Sequence, residues 1–233
     1  MSDGRDGPEA AQPRISEEAV DRAFRSFVTD SRFPCLGGRS VVRHRTYRLG
    51  VYGELGSAPS ADPLSRDLVA FVRTASVDDP LLRAFVAVFP DRPPVTEHDF
   101  EQRLWMQLQQ LHERDDPSVG WDPAASADPG NVHFSFSFAG HAFFIVGLHA
   151  RSSRKARSFR WPALVFNPRA QFDRLRADGR YARYQALIRA RDVALQGSLN
   201  PNLADFGERS EARQYSGRGT ESDWRCPFHR RIP

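Results

Sequence analysis

The stretch Val132–Ala150, VHFSFSFAGHAFFIVGLHA, decides how the rest of the chain is read. Val132, Phe134, Phe136 and Phe138 alternate with His133, Ser135 and Ser137, the period of two expected of a strand with one apolar face. Ala139-Gly140-His141 turns the chain and AFFIVGLHA returns it, which predicts a β-hairpin. On the returning strand, His149 shares a face with Phe143, Ile145 and Gly147. An isolated hairpin is marginal in water, so further strands and covering helices are required. WPALVFNP (Trp161–Pro168) is a candidate partner strand, and the end of LLRAFVAVFP (Leu81–Pro90), bounded by Pro80 and Pro90, reads as a buried one.

Helical periodicity supplies the cover. ISEEAVDRAFRSFVT (Ile15–Thr29) has Ser16 as a cap, Glu17 and Glu18 in the first turn, and a stripe of Ala19, Val20, Phe24, Phe27 and Val28. PLSRDLVAFVRTA (Pro63–Ala75) is a second helix. A third runs from Thr96 through EHDFEQRLWMQLQQLHER, with Phe100, Leu104, Leu108 and Leu111 on one face. QFDRLRADG and GRYARYQALIRARDVAL form the last two, with Gly179 as the stop between them. SRFPCLGGRS, the Gly/Ser/Pro-rich stretch from Gly50 to Pro63, and everything after Gln196 read as irregular. The expectation is a single α+β domain over residues 16–233, a small mainly antiparallel sheet with flanking helices, after a disordered leader at residues 1–15.

The formal net charge is +4, and Lys155 is the sole lysine, so the basic side chains are arginines with planar forks matched to carboxylates and phosphates. So small a net charge argues against a nucleic-acid binder. No apolar run approaches the about 20 residues needed to span a bilayer. The acidic start MSDGRDGPEAAQ is not a signal peptide, and Cys35 and Cys226 alone do not make a disulfide framework, so a cytoplasmic protein with reduced thiols is expected.

Cys35 lies in FPCLGGRS, where Gly37 and Gly38 let backbone amides approach a sulfur and Arg32 and Arg39 add positive charge, conditions that favour a thiolate. It reads either as a metal-binding thiolate or as a buried inert cysteine. His149, at a strand end, is either a ligand or acid/base group facing a cavity, or simply a hydrogen-bonded histidine. His44, His98, His133, His141 and His229 read as surface residues, and no HExxH or CxxC spacing supports zinc. Arg151, Arg154, Lys155 and Arg157 form a dense cluster suited to bidentate carboxylate pairing. In SEARQYSGR (Ser210–Arg218), a carboxylate such as Glu211 (or Asp205 before it) suits a cationic guanidinium or amine; the plainer reading pairs Glu211 with Arg213.

FPC (Phe33–Cys35), FVAVFP (Phe85–Pro90), LWMQLQQLH (Leu104–His112), FSFSFAGHAFFIVGLHARSSRKAR (Phe134–Arg157), LVFNP (Leu164–Pro168), IRARD with LQGSLNP, SEARQYSGR and WRCPF together resemble the YqcI/YcgG family across residues 16 to 229. That family includes haem-dependent N-hydroxylases of guanidine groups. The resemblance implies a haem b cofactor, activation of oxygen or peroxide, a small guanidine or amine substrate, and a separate electron donor or peroxide. It carries Cys35 over as the candidate axial ligand, with His149 as the alternative. Arg151, Arg154, Arg157, Arg213 and Tyr215 become candidate cofactor contacts, the arginines for propionates, and His149 and Glu211 candidate catalytic groups. A non-catalytic haem sensor and a cofactor-free partner-binding domain are the competing readings.

Overall fold

The structure, a computed structural model, describes residues 15–74, 81–204 and 207–230; all but Ile15 of the expected leader, and Asp205, lie outside them. The hairpin forms as read. β3 (Phe136–Phe138) pairs antiparallel with β4 (His141–Leu148). The connection is a two-residue turn with Ala139 at φ 50° and Gly140 at φ 74°, the doubly positive geometry that matches strand twist. β5 (Ala163–Pro168) pairs antiparallel with β4 and with β2 (Ala84–Val88). A fifth strand, β1 (Tyr47–Val51), runs parallel to β2 at the sheet edge, giving the order β1-β2-β5-β4-β3. The protein is thus α+β with a mostly antiparallel mixed sheet. β1 corrects the irregular reading at Gly50: five half-buried or exposed residues carry no strong alternation, and β1 is held by its ladder to the fully buried β2.

Helices α1 (Glu17–Thr29) and α4 (Glu97–Arg114) form for the reasons their sequences state. Ser16 Oγ accepts the amide of Ala19, Thr96 Oγ1 accepts that of Asp99, and acidic residues fill both first turns. Between α1 and β1 stands α2 (Leu36–His44), in a stretch read as irregular. Its two glycines weaken helix propensity, but the Cys35 sulfur caps it, buried Val41 and Val42 anchor it, and Arg45 ends it in the left-handed region. α3 (Ala58–Arg73) begins before the expected Pro63: Pro59 stands in its first turn, where a missing N–H costs no intrahelical bond, and Pro63 lies inside the helix. α5 (Arg169–Ala177), α6 (Tyr181–Gln196) and a single turn, α7 (Ala212–Tyr215), complete the described helices.

The two faces of the sheet differ. One, bearing Phe85, Ala87, Phe143, Ile145, Leu164 and Phe166, is sealed by α3 and α4; none of these residues exceeds 2% exposure. On the other, α1 covers Val86, Val88 and Ala163 through Val20, Phe24 and Val28. There the central strands carry Phe144, Val146, Val165 and Asn167 only half-buried. α6 runs past this side but packs chiefly on α5 and the 3-10 turn Lys155–Arg157, burying Asp192 alone. Phe144 packs edge-on to Phe172 of α5 and to Tyr215, and Val146 and Val165 lie against the cluster under α1.

Candidate functional site

Cys35 stands at the rim of this face. Phe33, two residues earlier, packs edge-on to Phe27 at 5.3 Å and joins the cluster that includes Val146 and Val165. The Cys35 sulfur takes the position of a helix N-cap oxygen and accepts the Gly38 amide at 3.3 Å. Burial pushes the thiol up, while the amides of Gly38 and Gly37 and the charge of Arg157 pull it down; burial wins. The free side chain is therefore a thiol whose proton a metal would displace. The loop that presents it is fixed from outside: Arg191 of α6 donates to Ser31 O at 2.6 Å and Phe33 O at 3.0 Å, and Arg39 donates to Ser31 O at 3.0 Å.

Glu211 belongs to the same side of the sheet. Ser137 pairs with Ala142, so Ser135 projects with Phe144 and Val146. Ser135 Oγ donates to Glu211 Oε1 at 2.8 Å, and Tyr215 Oη donates to the same oxygen at 2.7 Å. Arg169 donates to Ser135 Oγ at 2.8 Å and to His133 O at 3.0 Å, bringing a buried cation close. Burial still dominates and pushes the carboxyl up to about 7, against these hydrogen bonds and the charges of Arg169 and Arg176. Glu211 thus changes charge near neutral pH. It does not pair with Arg213.

The arginines divide. Arg154, 7% exposed, is bound by Asp192 of α6 and by Ser198 Oγ and O. Arg213 donates to Glu221 O, Ser222 O, Trp224 O and Thr220 Oγ1, and lies over the Trp224 ring. In this structure these two forks hold the chain together, Arg154 tying the turn after β4 to α6 and Arg213 tying α7 to the Thr220–Trp224 segment. Arg157 donates to Gly147 O and Tyr215 O, both at 3.1 Å, and to Gln214 O at 3.0 Å. Of its five N–H donors, the Nε–H and one on Nη2 keep no protein acceptor among the described residues. Burial lowers it to about 10. Arg151 is exposed. Tyr215 is fully buried and stacked on Trp105 at 5.5 Å; its hydroxyl accepts the Phe136 amide, so it orients Glu211 and seals the end of the β3–β4 ladder.

His149 stands apart. It is fully buried and stacks on Phe100 of α4 at 4.1 Å, within the sealed side of the sheet. Neither ring nitrogen has a hydrogen-bond partner, and burial lowers the imidazole to about 4. The charge of Arg157 reaches both the Cys35 sulfur and the His149 ring, whereas Glu211 is tied to Ser135 and Tyr215. Among the described residues no three His, Cys, Asp or Glu side chains gather as a metal site. Sequence reasoning read Arg39 as a charge beside the thiol, where it instead donates to Ser31 O, and passed over Ser135, Arg169 and Arg191. The polar positions of the VHFSFSF alternation held the signal for Ser135; nothing local marked the arginines, which act through backbone carbonyls distant in sequence.

The chain matches the YqcI/YcgG family over residues 24–229. It is 29% identical over 206 residues to the uncharacterized protein YcgG of Bacillus subtilis (strain 168), covering 84% of this chain and 80% of the relative. It is 26% identical over 208 residues to the uncharacterized protein YqcI of the same organism, covering 85% and 81%. No solved structure matches it significantly. With nearly the whole described fold inside the matched span, the chain belongs to the YqcI/YcgG family.

Proposed function

We propose that the protein is a haem b-dependent monooxygenase that N-hydroxylates a guanidine or amine group of a small, amino-acid-derived substrate. The observation that carries this reading is the half-covered sheet face with an amide-capped thiol at its rim and a near-neutral carboxylate on the same side. A porphyrin needs an apolar bed, an axial donor and cations for its carboxylates. Phe144, Val146 and Val165 would offer the first, Cys35 would hold the iron, and the remaining donors of Arg157 with exposed Arg151 would receive the carboxylates. When bound, haem would supply the activation of oxygen or peroxide. Cys35 would hold the iron as a thiolate, its charge stabilised by the α2 amides. Ionised Glu211 would receive the cationic group by charge-assisted hydrogen bonding, its orientation fixed by Ser135 and Tyr215. Electrons would come from a separate donor or from peroxide. Both cysteines are free, which suits a reducing cytoplasm, and no described helix is long and apolar enough to cross a membrane.

The test is turnover by haemin-loaded protein, supplied with reductant or peroxide and a panel of guanidines and amines. An N-hydroxylated product, abolished by Glu211→Gln with haemin binding intact, is the expected result. Haemin binding with no product from any member would favour the sensor reading.

A further inference from the structure

α6 is inside out. Projected at 100° per residue, Ala182, Arg183, Ala186, Leu187, Ala190, Val193 and Ala194 fall on one continuous arc, and all seven are exposed, Leu187 at 46% and Val193 at 41%. Six of the seven are apolar. The opposite arc faces the protein and is mainly polar. Asp192 binds Arg154, Arg191 binds the Ser31 and Phe33 carbonyls, the Leu195 carbonyl takes Lys155 Nζ, and Gln196 binds Ser153 O and the Lys155 amide. A helix of a monomer shows the reverse arrangement, with its apolar stripe toward the core. A row of alanines with two larger apolar residues, on the outside of a helix tied down by its polar side, is a docking face.

Charge identifies the occupant. The first turn of α6 has no acidic residue and carries Arg183; the last turn has no basic residue. This is the opposite of what the helix dipole favours. Arg183 makes no ion pair or hydrogen bond among the described residues. Both defects are repaired by one partner: a second α6 lying antiparallel. Arg183 then meets the carbonyl end of the other helix, and each Leu187 packs into the gap at Ala186 and Ala190 of the partner subunit. A two-fold contact requires a patch complementary to itself, and large-against-small packing about the middle of α6 meets that requirement.

We propose that the protein forms a two-fold dimer through antiparallel packing of the outer face of α6. Sixteen residues span about 24 Å, so the contact lies at the small end of specific interfaces and gives a micromolar rather than a permanent dimer. The dimer would hold in place the helix whose Arg191 fixes the Cys35 loop. It does not depend on haem, so it stands or falls separately from the proposed activity.

Sedimentation equilibrium of the full chain from about 1 to 200 µM tests it. The expected result is a reversible shift from 26.3 kDa toward twice that mass, lost in Ala190→Glu and weakened at least tenfold in Arg183→Glu, with circular dichroism unchanged in both. A monomer at every concentration overturns the proposal, as does a dimer that survives Ala190→Glu. So does a monomer whose α6 face instead binds phosphatidylglycerol vesicles. If Ala190→Glu fails to fold, Leu187→Ser, on the same exposed arc, replaces it with the same expected outcome.

Discussion

Tyr215 holds its hydroxyl 2.7 Å from Glu211 Oε1 while that same hydroxyl accepts the Phe136 amide at 3.1 Å. One buried phenol therefore ties the titrating carboxylate to the end of the central hairpin. The proton on Glu211 is consequently a property of the fold as well as of the site.

Glu211 lies at about 7 in the folded chain against an ordinary 4.5. Between those values the folded chain keeps a proton that the unfolded chain has released. The stability tied to this group is complete below pH 4.5 and is lost as pH rises through 7. At about 1.4 kcal/mol per pH unit, the loss over that window is about 3 kcal/mol. Denaturant melts of wild type and Glu211→Gln at pH 5, 6 and 7.5 should differ by a term that grows with pH, in favour of the Gln variant. A pH-independent difference would refute the assignment.

His149 works in the opposite sense. Its imidazole is lowered to about 4 from 6.5. Over that range the unfolded chain binds the extra proton, so stability is lost as pH falls from 6.5 toward 4. With both ring nitrogens buried and unpartnered, His149→Leu should stabilise the protein at pH 7 by about 1 kcal/mol and flatten its acid limb. A loss of stability at pH 7 would show that the ring has a bound partner.

Gly147 has no room for a side chain. A Cβ there would lie 2.6 Å from Phe100 Cε1 and 2.8 Å from the Tyr215 carbonyl oxygen. Gly147→Ala should cost about 1 to 3 kcal/mol, read as a fall in melting temperature. An unchanged melting temperature would mean that α4 and α7 shift freely against β4.

Arg157 and Arg151 are close in sequence and opposite in effect. Replacing Arg157 with Met abandons three backbone carbonyls and should cost about 3 kcal/mol. Arg151→Ala, at an exposed position, should stay within about 0.5 kcal/mol. Equal effects would contradict the division of labour described for this cluster.

Strong local patterns made much of the fold readable. The Phe134–Phe138 alternation, the capped stripes of α1 and α4, and the Gly179 stop each name their own element. α2 and β1 were hidden because what stabilises them is remote: a sulfur cap and buried valines for α2, a parallel ladder to β2 for β1. At the site, Cys35 and Glu211 stood out by residue type. The commitment of Arg154 to Asp192, 38 positions away, and the burial of His149 against Phe100 are tertiary facts with no local signature. The outward apolar face of α6 was equally concealed, since periodicity shows a stripe but not the side it faces.

The most direct test of the central claim is the ferrous–CO absorption spectrum of haemin-loaded wild type beside Cys35→Ala. The account predicts haemin uptake and a strongly red-shifted Soret band in wild type, replaced in the variant by the band of a non-thiolate ligand. Failure to take up haemin, or a wild-type spectrum unaltered by Cys35→Ala, would contradict it.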